Sequence, residues 1–147
     1  MQSETNGDTP RHVLVTGGAG YIGSHACKVL RATGYIPVTV DNLSTGWAQA
    51  VKYGPFEQVD LTNRAALDAV FIKYAPIAVM HFAAFSLVGE AMSDPGKYWR
   101  NNVIGSLTLI LSDVRKEVLR RDFQLHGVRF RSFQRYRFRL LNRNGFL

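Results

Sequence analysis

Apolar residues fall in short runs through the first three quarters of the chain, and between those runs they recur at helical spacing. Strands are predicted at 12–16, 36–40, 56–60 and 77–82. The segments at 20–33 and 63–74 predict helices, and a further helix is expected from Pro95 toward Leu111. Tyr74-Ala75-Pro76 marks the end of the second helix, because proline cannot continue it and pushes the preceding residue out of the α region. Strands alternating with helices imply parallel pairing through right-handed crossovers. The expected fold is therefore α/β, a doubly wound parallel sheet. Ligands of such sheets bind beyond the carboxyl ends of the strands, which points to residues 17–23, 41–46, 60–61 and 81–89.

The first strand runs into Thr16-Gly17-Gly18-Ala19-Gly20-Tyr21-Ile22-Gly23 and then into a helix. A strand, a glycine-rich turn and a helix in that order can hold a dinucleotide pyrophosphate. One glycine lets the strand turn sharply, one lets backbone N–H groups approach the phosphates, and one lets the helix pack against the strand. The helix start adds its partial positive charge and unpaired N–H groups. Asp41 ends the second strand, 21 residues after Gly20. An acidic residue about 20 positions on is where an adenosine ribose 2′-hydroxyl is read. A carboxylate there repels a 2′-phosphate and no Arg adjoins it, so the reading is a Rossmann-type NAD-binding domain that prefers NAD to NADP. The plainer alternative is a glycine turn of some other α/β protein, with Asp41 capping a loop.

Length and composition suit one globular domain: 147 residues, 46% of them hydrophobic. No run approaches the roughly 18 apolar residues of a membrane span. Residues 1–11 read as a loose polar extension without the layout of a secretion signal, and the expected compartment is the cytoplasm. The single cysteine, Cys27, reads as a packing residue of the first helix. His25 and His81 have no second ligand at metal spacing, so no metal is expected.

Charge divides the chain. Residues 1–111 carry 8 Lys and Arg against 8 Asp and Glu, whereas residues 112–147 carry 10 against 3 and so hold the whole net charge of +7. The last 36 residues also contain no Ala, Thr, Ile or Pro. The organisation read from this is an extension at 1–11, the NAD-binding domain at 12–111, and a basic, Arg- and Phe-rich tail at 112–147 that is expected to pack poorly.

The motifs at 16–25, Asp41-Asn42-Leu43-Ser44-Thr45-Gly46, Val59-Asp60-Leu61, His81-Phe82-Ala83-Ala84, Val88-Gly89-Glu90, Asp94-Pro95, Tyr98 and Asn101-Asn102 together resemble the UDP-glucose 4-epimerases of the extended short-chain dehydrogenase/reductase family, over residues 12–111. The resemblance implies that Gly17, Gly20 and Gly23 form the pyrophosphate turn, with Tyr21 and Ile22 as backbone donors. It implies that Asp41 and Asn42 contact the adenosine ribose, that Ser44, Thr45 and Gly46 wrap that end of NAD, and that Asp60 and Leu61 form the adenine pocket. Phe82, Ala83 and Ala84 correspond to the wall along the nicotinamide ribose, and Asn101 to a polar contact beneath the cofactor. The family often carries Lys where this chain has Ser86, so one ribose contact differs. Glu90 can equally be a solvated residue at a helix start, and Asn101 and Asn102 can be surface groups on a helix.

The resemblance further implies an isomerase of galactose metabolism that epimerises C4 of a UDP-sugar, and leaves a homodimer open for the intact family member. In that reaction a Tyr takes the hydroxyl proton while hydride passes to NAD, and a Lys four residues later favours its ionisation. The residues four after Tyr21, Tyr35, Tyr53, Tyr74, Tyr98 and Tyr136 are His25, Thr39, Glu57, Ala78, Asn102 and Leu140. None is Lys, and the sugar-binding domain is absent too. The chain thus reads as a truncated, inactive cofactor-binding part with no catalytic residues of its own. Residues 122–130, back-translated and read one base over, permit Phe-Ser-Cys-Thr-Ala-Tyr-Gly, close to the family's next strand, so a shifted reading frame is the preferred account of the tail. Arginines interleaved with Phe130, Phe133, Tyr136 and Phe138 make nucleic-acid binding the competing reading, disfavoured for want of any motif around them. A non-catalytic NAD-binding module is the third.

Overall fold

A computed structural model describes residues 10–114. The strands are β1 (His12–Thr16), β2 (Ile36–Asp41), β3 (Phe56–Gln58) and β4 (Ala78–His81). The helices are α1 (Tyr21–Ala32), α2 (Arg64–Tyr74), α3 (Val88–Ser93) and α4 (Pro95–Tyr98). After α4 the chain widens into a π-helical stretch, Trp99–Gly105, and residues 106–114 are α-helical again. A short 3-10 turn occupies Ala48–Ala50. The expectations for the tail, including its packing, its frame and its arginine-aromatic segment, concern residues almost all outside those described.

All pairings are parallel, in the spatial order β3-β2-β1-β4. This is the α/β doubly wound topology that the alternation predicts. β1 and β2 are buried from their second residue onward, as central strands covered on both faces must be. Successive side chains point to opposite faces. Leu14 joins Val38, Val40, Leu67, Val70, Phe71 and Leu109 on the α2 side. Val13 and Val15 meet Cys27 of α1 on the other. Cys27 is a core residue, and burial raises its thiol pKa above the ordinary value.

Local signals set the element ends. The Asn63 side chain accepts from the Ala66 N–H at 3.1 Å and starts α2. Ala75, held between that helix and Pro76, turns left-handed at φ 43°. β3 and β4 are shorter than the strands predicted at 56–60 and 77–82, and α3 lies in a stretch with no clear helical period.

Register places the site. Thr16 lies level with Val40 on one side and His81 on the other, so the chain leaves β1, β2 and β4 at one edge. The winding reverses between β1 and β4, because α1 covers one face and α2 the other. That reversal opens a crevice over β1.

Candidate functional site

The glycine turn closes the crevice floor. Gly17 has φ +71°, donates its N–H to the Val40 carbonyl at 2.9 Å, and lies so near β4 that a Cβ would come within 2.6 Å of the Phe82 carbonyl carbon. Only glycine satisfies both demands. A Cβ on Gly23 would collide with the Gly17 carbonyl, so this glycine sets how closely α1 approaches the turn. Gly20 differs: its Cβ would meet only the Gly17 oxygen, at 3.2 Å. No side chain caps α1 at Gly20, and its first turn has no acidic residue. The opening N–H groups of α1, those of Tyr21, Ile22 and Gly23, are therefore available to an anion. The side chains of Tyr21 and Ile22 are exposed, so these residues can contribute through their backbone.

Asp41 ties the next loop to this turn. Its carboxylate is buried, accepting from the Ala19 N–H at 3.1 Å and the Leu43 N–H at 2.8 Å. Gly46 packs against the same pair, since a Cβ there would lie 2.9 Å from the Ala19 Cβ and 3.1 Å from Asp41 Oδ1. Asn42 accepts from the Ser44 N–H at 3.0 Å and donates to Asp60 Oδ2 at 2.8 Å. The other Asp60 oxygen accepts from the Thr62 hydroxyl at 2.6 Å and N–H at 2.8 Å. Bonding to Thr62 first, and to Asn42, holds the Asp60 carboxyl below its ordinary pKa.

The third side follows β4. The His81 ring lies between Thr16 Oγ1, at 2.6 Å from Nδ1, and Ser106 Oγ, at 2.9 Å from Nε2. Ser106 Oγ donates to the Asn102 carbonyl at 2.7 Å, so it accepts from Nε2–H, and Nδ1 accepts from Thr16. Beyond His81, Asn101 donates to the Ala83 carbonyl at 2.9 Å and to Asn102 Oδ1 at 2.8 Å. Both amide hydrogens are used, so Asn101 can offer the crevice an acceptor.

Burial depresses the His81 pKa below its ordinary value near 6.5. Between the folded and unfolded pKa values the unfolded chain binds the extra proton. This contribution to stability is complete above about pH 6.5 and is lost as pH falls toward the folded value. Urea midpoints measured from pH 8 to pH 5 should fall with acid, and more shallowly for His81→Asn. An equal slope in both proteins would remove His81 from this role.

A cleft spans the three sides. Of the residues expected from sequence it is lined by Gly17, Gly20, Asp41, Asn42, Ser44, Thr45, Leu61, Phe82, Ala83, Ala84 and Asn101. Gly23, Gly46 and Asp60 stand behind that lining as supports, and Tyr21 and Ile22 stand beside it. Val40, Val59 and Phe85 also line it. The first two adjoin Asp41 and Asp60 at the ends of their apolar runs, where an inward place was readable. Phe85 follows the small Ala83-Ala84 pair, and no local signal marks it.

Glu90, partly exposed, is held by two neighbours: Lys97 Nζ donates to it, and Tyr98 Oη lies 2.9 Å from its Oε2. The Lys97 contact is the main reason its carboxyl pKa lies below the ordinary value. Tyr98 also receives the Leu87 N–H at 3.1 Å. These contacts tie α3 to α4. No helix among the described residues is long and apolar enough to cross a membrane.

Residues 13–123 match the model of the NAD dependent epimerase/dehydratase family. A UDP-glucose 4-epimerase of Rhizobium leguminosarum bv. trifolii is 53% identical over 98 residues, which are 67% of this chain and 30% of the relative. The UDP-glucose 4-epimerase uge1 of Schizosaccharomyces pombe is 46% identical over 119 residues, covering 76% and 33%. Among solved structures, UDP-glucose 4-epimerase from Brucella ovis in complex with NAD superposes with a TM-score of 0.72 at 50% identity, over 73% of this chain and 33% of that one. The Thermus thermophilus enzyme, in complex with NAD, gives 0.70 at 37% identity over 73% and 35%. The chain spans about a third of the length of these proteins.

Proposed function

Because the chain belongs to the NAD dependent epimerase/dehydratase family, we propose that residues 12–111 form its NAD-binding unit, of the kind found in UDP-glucose 4-epimerases. The observation that carries the reading is the uncapped start of α1 facing a cleft whose other walls are Asp41 and the Phe82–Ala84 segment. The pyrophosphate sits at Gly17–Gly23, held by the free N–H groups of the first turn of α1. Each Asp41 oxygen accepts one backbone N–H and keeps a second lone pair, enough to accept the adenosine ribose hydroxyl. Leu61 covers the adenine ring, with Asp60 behind Asn42. Ser44 and Thr45 close over this end. Phe82, Ala83 and Ala84 form the nicotinamide-ribose wall, and Asn101 contributes its Oδ1.

NAD supplies a hydride acceptor when bound. In the longer family members the partner substrate is a UDP-sugar, and this chain carries the cofactor part of that reaction in the cytoplasm. The 147 residues by themselves bind NAD without turning over sugar.

Calorimetric titration of the purified chain should show saturable binding of NAD and much weaker binding of NADP. Asp41→Ala should weaken NAD by about 1–3 kcal/mol, the scale of a charge-assisted hydrogen bond. The same change frees the Ala19 and Leu43 amides, so its unfolding midpoint should drop as well. Equal affinity of the unchanged protein for NAD and NADP would count against Asp41 as the ribose contact.

A further inference from the structure

Asn101 and Asn102 are neighbours in sequence, yet both reach the same loop beyond β4. The wide turn of Trp99–Gly105 accompanies this, and interruptions of that kind recur at functional sites. Asn102 holds one residue of the loop at both of its backbone polar groups. Its Oδ1 accepts from the Phe85 N–H at 2.8 Å, and its Nδ2 donates to the Phe85 carbonyl at 2.9 Å. The same Oδ1 accepts from Asn101 Nδ2, whose other hydrogen goes to Ala83. One carboxamide therefore fixes Phe85 and also sets the rotation of the Asn101 amide.

The clamp has a rigid base. The Asn102 carbonyl accepts from Ser106 Oγ, which is bonded to His81 Nε2, and His81 is bonded in turn to Thr16 at the end of β1. Asn102 thus couples the loop to the sheet edge from which the cleft rises. It does not line the cleft itself, whereas Ala83, Ala84, Phe85 and Asn101 do.

Position in the sheet separates this wall from the rest of the site. β2 and β4 flank β1 on opposite sides, so Asp41 and the loop after β4 stand two strand spacings apart, roughly 10 Å. A dinucleotide lying across β1 meets Asp41 with one half and the Phe82–Phe85 segment with the other.

We propose that Asn102 is a positioning residue that shapes the wall for the nicotinamide-ribose half of the cofactor, through Phe85 and Asn101, and leaves the adenosine half untouched. This rests on the NAD reading above. It assigns a role to a side chain that contacts no ligand, at a position whose sequence alone also suits a surface polar group.

The test compares NAD with ADP, which carries only the adenosine and diphosphate part, by calorimetry on the full chain. Asn102→Leu removes both bonds to Phe85 and should weaken NAD about tenfold, the scale of one or two lost hydrogen bonds, while ADP affinity stays within about twofold. Asn102→Asp keeps the acceptor for the Phe85 N–H and for Asn101 but sets a carboxylate oxygen against the Phe85 carbonyl. It should show the same split to a smaller degree, and it decides the matter if the leucine variant does not fold. Parallel loss of NAD and ADP would mark Asn102 as a general fold residue and overturn the proposal, as would unchanged NAD affinity in both variants. An unchanged protein that binds neither compound overturns the NAD reading itself, and this inference with it.

Discussion

Incubated with UDP-glucose and NAD, the purified 147-residue chain should form no UDP-galactose above background. The family's chemistry needs a proton acceptor within hydrogen-bond reach of the sugar hydroxyl, and a positioned acid or base contributes about 100- to 10,000-fold. No tyrosine here has lysine four residues on. The tyrosine bound to the α3–α4 region is unsuited to the task as well. Tyr98 has its pKa raised, first by burial and then by its bond to Glu90, the opposite of what a base needs. These 147 residues match only about a third of the relatives' length, and holding reactants in geometry lowers barriers by about 7–11 kcal/mol. A coupled assay for UDP-galactose checks the expectation. NAD-dependent turnover by this chain would show that the dyad argument is wrong.

Gly23→Ala should be among the most damaging single substitutions in the described fold. The added Cβ overlaps the Gly17 carbonyl, a backbone atom that cannot swing aside, and Gly17 is itself wedged against Phe82 and Ala83. Overpacking of this kind costs about 3 kcal/mol or more when nothing can yield. Gly20→Ala is the informative contrast. Its Cβ meets one oxygen at 3.2 Å, so the fold should survive while the methyl group stands where the pyrophosphate approaches. Urea unfolding should therefore separate the two variants, with NAD binding reduced in both. Equal stability of Gly23→Ala and the unchanged protein would contradict the packing argument.

These glycines were readable because their constraints are local: a strand must turn, and a helix must sit against that turn within a few residues. β1 matches its predicted span, residue for residue, for a similar reason. Buried on both faces, it carries three consecutive apolar residues, Val13 to Val15, at its centre. Asp41 was readable by its spacing from Gly20, although the sequence did not reveal that its oxygens already brace Ala19 and Leu43.

What stayed hidden depends on distant partners. Asn102 bonds a residue 17 positions away, and His81 one 25 positions away. An asparagine pair in an apolar helical segment looks the same whether it faces solvent or a loop. The change of helical pitch at Trp99–Gly105 carries no sequence mark either. Glu90 was ambiguous for the same reason, until Lys97 and Tyr98 came within reach.

The most direct test of the cofactor site is amide hydrogen exchange of the full chain with and without NAD. Added NAD should slow exchange at residues 17–23, 41–46 and 82–85, the three segments that converge on the cleft, and leave the far end of the sheet around residues 34–36 and 75–78 unchanged. Saturable NAD binding with protection confined to other segments, or no protection anywhere, would contradict the assignment of this cleft.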